Sequence, residues 1–455
     1  MLVGLGMSHS WVGRSDQVRL GALTRWVTPD LVDEAIVANG RQGKRPGALP
    51  AAVMVCFVLA CALFHQDSYD DVAENLVSAI PGLADQIPNK SSFTRARQRL
   101  GPQVLETVFR KVGGALAPAG LAGSFYRDMR VAAVDGFYLD APDTKANRAT
   151  FGGQVAKDGT PLAFPQVRVV TLSEAGTHAV LDAQVGGLVD SEQDLAVPLA
   201  AGARDMLVIM DRGFVGVKVW REFTGVGAHV LIRAKSNSAR TPVEHLPDGT
   251  YLAEISQWVG GRLVHTVTVR VVEYEVEGAD GEVIRLLTDL LDPVAYPAAE
   301  LAALYHERWE AELSNRQIKT YQRGAQEVLR SATPDLVHQE VWAHLIVHHC
   351  LSRLIVQIAG RHSIDPDRIS FVKVLKAVRR SVIQNVTSTP RKLGQFLAAL
   401  TSKLRKLDIG PRRDREADRL VKRFKLKYAD PPKGWKRQPT RRTPPKIIRL
   451  LPRLV

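Results

Sequence analysis

The 455-residue sequence predicts a mixed α/β sheet with helices on its faces, preceded by a helical N-terminal region and followed by a basic tail. Three observations carry this. Between Arg130 and Lys235, short apolar runs broken by turns follow the order strand, strand, strand, helix, strand, helix, strand. The first hundred residues show longer helical patterns. The whole net charge of +14 falls in the last 53 residues, where 19 Lys and Arg face 5 Asp and Glu, leaving the remainder with 42 of each sign.

In chain order, the apolar run Pro50 to Phe64 is too short for a bilayer span and reads as a buried helix. Tyr69 to Ile80 follows, then Phe93 to Leu100 with Ser91 as N-cap and Gly101-Pro102 as its stop. Arg95 and Arg99 lie four apart on one face of that helix with Arg97 nearby, an arrangement suited to facing phosphates and equally to a solvated surface. Val131 to Val134 reads as a buried strand ending at Asp135-Gly136, and Val167 to Leu172 and Ala179 to Val185 as two more. Asp194 to Ala203 is expected to be helical, Met206 to Met210 a strand ending at Asp211-Arg212-Gly213, and His229 to Ile232 another. Thr241 to Leu291, rich in β-branched residues with a turn at Ala279-Asp280-Gly281, reads as a β insertion. Leu301 to Leu329 and Val341 to Ile358 are two long helices. The Pro-rich C-terminal end, with Pro431, Pro432, Pro439, Pro444 and Pro445, argues for an extended arm.

Composition excludes several classes of protein. At 45% hydrophobic and 24% charged, the chain is neither disordered nor fibrous. Three cysteines without C-x2-C spacing supply no disulfide framework or structural zinc site and suit a reducing compartment. Neither a secretion signal nor a membrane span is visible, so a cytoplasmic, nucleoid-associated location is expected. A G-x4-G-K-[ST] loop is absent, which leaves ATP-driven motion unsupported. The basic tail favours a polyanion, because each neutralised phosphate releases condensed counterions.

The chemistry is concentrated in three places. Asp135 and Asp211 each follow an apolar strand, and in open α/β sheets ligands bind at the carboxyl ends of strands. On the helix beginning near Leu301, Tyr305, Arg308, Glu312 and Lys319 project within an arc of about 60° at 3.6 residues per turn. Such a stripe suits a shared polar ligand, although Arg308 and Glu312 also have the spacing of an ordinary i, i+4 ion pair. Three carboxylates on separate elements meet the requirement for two hard divalent cations, Mg²⁺ or Mn²⁺, which activate the attacking oxygen and stabilise the leaving oxygen of an in-line phosphoryl transfer. His344, His348, His349 and Cys350 include an i, i+4 pair, but their apolar surroundings and the lack of a following Glu argue against a zinc site.

These residues resemble the DDE transposases of the insertion sequence 4 family. The signature Tyr-x2-Arg-x3-Glu-x6-Lys is matched by Tyr305, Arg308, Glu312 and Lys319; Asp135-Gly136 and Asp211-Arg212-Gly213-Phe214 match the two acidic motifs. Asp143-Thr144, Asn147 and Phe151-Gly152 are similar to the stretch after the first motif, and Lys90 to Gly101 to the family's N-terminal domain, whereas Phe137 and Tyr138 stand where small polar residues are common. The resemblance, which spans roughly residues 20 to 450, implies a ribonuclease-H-like fold with the β insertion between the second Asp and the Glu. It divides the chain into a helical DNA-binding domain at 1–125, a catalytic domain at 126–360 interrupted at about 238–295, and a helical and basic DNA-binding or dimerisation region at 361–455. By resemblance, Asp135, Asp211 and Glu312 are the catalytic, metal-holding residues. Tyr305, Arg308 and Lys319 position DNA, with Arg95, Arg97, Arg99 and Arg212 as further DNA contacts. The implied activity is cut-and-paste transposition by a homodimer on terminal inverted repeats and target DNA. A decayed transposase acting as a repressor and a host nuclease of the same fold are the competing readings. Some relatives place a base-stacking Trp in the insertion; Trp258 is the candidate, but its flanks match no motif and it reads as a packed residue.

Overall fold

The computed structural model describes residues 17–43, 49–80, 83, 87–156, 162–235, 240–276, 283–324, 327–387, 389–402, 404–410 and 447–450. Five helices open it: α1 (Pro29–Ala38), α2 (Ala51–Leu63), α3 (Tyr69–Val77), α4 (Lys90–Leu100) and α5 (Gln103–Val112). Their ends follow local chemistry. Thr28 caps α1, Ser68 and Asp71 form a reciprocal capping box on α3, and Gly101 at φ +71° stops α4. The cap of α4 is Asn89 and not Ser91: its Oδ1 accepts from the Ser92 backbone and from the hydroxyls of both serines. Helix α2 is apolar all round, and from Val53 on every residue but Cys56 is buried.

The sheet begins with β1 (Phe125–Tyr126) and β2 (Met129–Asp140), followed by α6 (Lys145–Phe151), β3 (Gln166–Glu174), β4 (Val180–Gly187) and α7 (Glu192–Ala196). Strand β5 (Met206–Met210), α8 (Val217–Gly225) and β6 (His229–Arg233) complete its first half. The order is β4-β3-β2-β5-β6, with β2, β5 and β6 parallel and β3 antiparallel to its neighbours, the ribonuclease-H arrangement. The inserted strands β7 (Glu244–His245), β8 (Tyr251–Val259), β9 (Arg262–Val276) and β10 (Val283–Thr288) extend this same sheet, because β10 pairs antiparallel with β6. The expected turn at 279–281 lies outside the described residues.

After α9 (Ala298–Tyr305) and α10 (Trp309–Arg316) come α11 (Pro334–Arg361), α12 (Phe371–Ile383), α13 (Pro390–Ser402) and α14 (Leu404–Leu407). Helix α11 is long and apolar enough to span a membrane, but 83% of its most apolar stretch is buried within this fold. It packs the N-terminal helices, α12 and one face of the sheet, including Phe137, Leu139, Val167 and Val180, into one continuous core. From the C-terminal arm, β11 (Ile447–Leu450) is extended and pairs with the end of β9; residues 411–446, with the five prolines named above, lie outside the described residues.

Several expected boundaries move, among them the helix expected over 341–358, which runs Pro334–Arg361. Strand β2 runs five residues past Asp135, since its antiparallel pairing with β3 continues to Asp140↔Gln166 after the parallel ladder with β5 stops. The helix expected over 194–203 starts at Glu192 and tightens after Ala196 into a 3₁₀ turn containing Pro198.

Candidate active site

Strand register brings the two aspartates together. The last parallel pair of β2 and β5 is Val134↔Met210, so Asp135 and Asp211 are the next residues on adjacent strands, which lie about 4.8 Å apart. Side-chain alternation also fixes their face. Val131 and Ala133 on β2, with Leu207 and Ile209 on β5, pack under α9, and the aspartates keep that parity. Asp211 caps the turn that follows, its Oδ1 accepting the Gly213 N–H at 2.7 Å.

The third carboxylate comes from the far side of the insertion. Glu312 on α10 lines a cleft of about 270 Å³ with Asp135, Gly136, Phe137, Asn315, Arg316, Lys319 and Thr320. The segment carrying it is not one continuous helix. A 3₁₀ turn at His306–Arg308 separates α9 from α10, and a π turn at Gln317–Gln322 ends the run before Leu329. The π turn has a partner: Gln317 and Gln322, five residues apart, meet His348 and His344 on α11, at 2.9 and 3.0 Å. An i→i+5 winding puts both glutamines on one face. His349 Nδ1 meets the Val180 carbonyl at 2.9 Å, so each of the three histidines has a packing role.

Arg308 bridges the elements. Its Nη2 lies 2.8 Å from Glu312 Oε1, and its charge also reaches Asp135. Tyr305 is only 5% exposed and sits in the core beneath α9, beside Arg308 and Arg233, where burial pushes its hydroxyl up to about 12. Its side chain is thus buried beside Arg308.

Burial, and secondarily the charge of Asp211, pushes the Asp135 carboxyl up to about 6 against the Gly136 N–H, Asn315 and Arg308, which pull it down. Because the folded value lies above the ordinary 3.8, ionisation costs the folded chain stability. The penalty is absent below the unfolded value, grows as pH rises towards 6 and is constant above. Metal-free Asp135→Asn protein should therefore match wild type below pH 3.8 and exceed it by on the order of 3 kcal/mol above pH 6. Thermal melts of both proteins against pH check this.

Two family models match the chain: Insertion element 4 transposase N-terminal over residues 17–110 and Transposase DDE domain over residues 126–350. The chain belongs to the insertion element 4 family of DDE transposases. Transposase InsG for insertion sequence element IS4 of Escherichia coli K12 is 27% identical over 442 residues, covering 94% of this chain and 98% of InsG. The piggyBac transposase synaptic complex with hairpin DNA, solved by cryo-EM, aligns over 84% of each chain at 9% identity with a TM-score of 0.46. Family membership makes this transposase a metal-dependent enzyme of DNA cleavage and transfer.

The other residues singled out in the sequence are spread between this cleft and the rest of the transposase. Arg95 and Arg99 are exposed on α4, Arg212 is exposed beside Asp211, and Lys319 is exposed at the cleft. Arg97 departs from its expected role: it is 1% exposed, and its guanidinium donates to Gln339 Oε1 at 3.1 Å, Ser331 Oγ at 3.2 Å, the Leu336 carbonyl at 2.9 Å and the Tyr69 hydroxyl. It ties α4 to α11. Trp258 also departs, being 63% exposed at the β8–β9 tip beside exposed Val259 and Leu263, where a packed Trp was expected. Asn147, from the stretch after the first acidic motif, is buried and donates to the Pro142 and Ser331 carbonyls at 3.1 Å.

Two site residues were missed by sequence reasoning. Asn315 donates to Asp135 Oδ2 at 2.7 Å, and its position one turn after Glu312 was the available signal. Glu192, at the start of α7, lies near Asp211; burial, then that charge, raises its carboxyl. An all-oxygen donor set with a half-buried, reluctantly ionised carboxylate fits a hard divalent cation. A second cluster, His65, Glu340 and His344, has donor atoms within 4.8 Å of one another. It fits poorly, because Glu340 already accepts from the Arg330 N–H and Ser331 Oγ. Burial and the charges of Arg323, Arg330 and Arg379 hold His65 down to about 3 and would repel a dication.

Proposed function

We propose that this transposase binds the terminal inverted repeats of its own element, cleaves at their ends and joins the 3′ ends to target DNA, with Asp135, Asp211 and Glu312 holding two Mg²⁺ or Mn²⁺ ions. The observation that carries this reading is the in-register placement of Asp135 beside Asp211, with Glu312 lining the same cleft as Asp135. When bound, the paired ions supply the charge that an in-line displacement at phosphorus needs on its entering and leaving oxygens. Asn315 orients the Asp135 carboxylate, and Arg308 orients Glu312. Exposed Lys319 and Arg212 border the site and suit phosphates of the transposon end; Arg95, Arg99 and the basic C-terminal arm suit the flanking duplex. Two ends must be cut together, which favours a homodimer on DNA.

The test is a labelled duplex carrying the element's own terminal repeat, incubated with Mg²⁺ or Mn²⁺ and an acceptor plasmid. Metal-dependent nicks followed by joined products are expected. Binding without cleavage under every metal condition would replace this reading with a repressor, and nicks that never become joined products with a nuclease.

A further inference from the structure

Glu192 reaches the catalytic centre from the opposite side of the sheet. Ala132 and Val134 on β2, with Val208 and Met210 on β5, face the core formed with α7 and α8, and Gly136 continues that parity. A methyl group on Gly136 would overlap Glu192 Oε1, and one on Gly213 would lie 3.3 Å from Oε2. The glycines following both catalytic aspartates thus leave the space that the Glu192 carboxylate occupies. Its backbone is held on both sides. Gln193 Nε2 donates to the carbonyls of Gly213 at 2.9 Å and Val215 at 3.3 Å, and Arg168 donates to the Asp190 carbonyl. The carboxylate itself is half-buried and takes no hydrogen bond or ion pair among the described residues. The Arg168 charge favours the ionised carboxylate, whereas burial and the neighbouring Asp211 charge oppose it, and a divalent cation held between the two acids would relieve that cost.

We propose that Glu192 is a fourth carboxylate of the metal site, sharing with Asp211 a divalent cation at the carboxyl end of β5 and approaching it from the α7 side, whereas Glu312 approaches from the other. This rests on the catalytic reading above and adds a ligand to it. The neighbouring Asp194 serves as control, since it is exposed and paired with Lys218 at 2.6 Å.

The experiment measures Mn²⁺ binding by calorimetry, and melting temperature with and without Mn²⁺, for the full-length wild type and the variants Glu192→Gln, Glu192→Ala, Asp194→Asn and Asp211→Asn. Glu192→Gln should raise the metal-free melting temperature, weaken Mn²⁺ binding by about 10- to 100-fold and shrink the metal-induced increment, while Asp194→Asn changes none of these. Glu192→Ala should weaken binding equally, and Gly136→Ala should follow it by displacing the carboxylate. A merely structural role predicts the reverse sign in the metal-free melt. Wild-type Mn²⁺ affinity in Glu192→Gln together with lost affinity in Asp211→Asn overturns this inference alone. Wild-type affinity in Asp211→Asn overturns the underlying assignment of the centre.

Discussion

Glu312→Gln is expected to reduce strand cleavage and joining by on the order of 10³-fold or more while leaving binding to the terminal repeat within about threefold. The substitution preserves shape and removes one negative charge. It also breaks the contact with Arg308, but that i, i+4 pair is partly exposed, so the stability cost should stay below about 1 kcal/mol. Asp135→Asn and Asp211→Asn should lose activity to the same degree, and double variants should lose little more, because removing any one ligand disables the unit. Cleavage, gel-shift and melting measurements on one preparation separate lost chemistry from lost folding. Undiminished cleavage in Glu312→Gln would place the catalytic centre elsewhere.

Arg97→Ala is expected to destabilise the transposase by about 3–5 kcal/mol without altering how DNA binding responds to salt. Removing this buried guanidinium strands the Gln339 and Ser331 side chains and the Leu336 carbonyl, and it severs the main polar tie between α4 and α11. Arg95→Ala and Arg99→Ala should behave oppositely. Each leaves stability within about 0.5 kcal/mol and lowers the slope of log affinity against log salt by about 0.9 if it meets a phosphate. Urea unfolding and salt-dependent binding distinguish the two roles. A salt slope reduced by Arg97→Ala at unchanged stability would return Arg97 to the DNA interface.

The inward turn of Arg97 was readable from periodicity. Phe93, Ala96 and Leu100 mark the buried face of α4, and Arg97, four residues after Phe93, shares it. Charge type outweighed position in the sequence reading. Strand β5 was legible residue for residue, since a buried parallel strand is a continuous apolar run and Asp211-Arg212-Gly213 ends it sharply. The extension of β2 was not legible, because Asp135-Gly136 looks like a turn until β3 is there to pair with it. The breaks around α10 were hidden for the same reason: the glutamines that wind as a π turn do so to meet histidines more than twenty residues away.

By itself the sequence determined the types and order of the proposed catalytic acids, the family signature that joins them, the apolar strands that carry two of them and the concentration of positive charge at the C-terminus. These are local properties, set by residue type and short-range spacing. Only the tertiary structure decided that Asp135 adjoins Asp211, that the insertion prolongs the catalytic sheet, that Arg97 is a strut and that Glu192 arrives through space left by two glycines. Strand register and close approach arise between segments distant in sequence. The free energy that selects them comes from burying both faces of one sheet at once, which no single segment encodes.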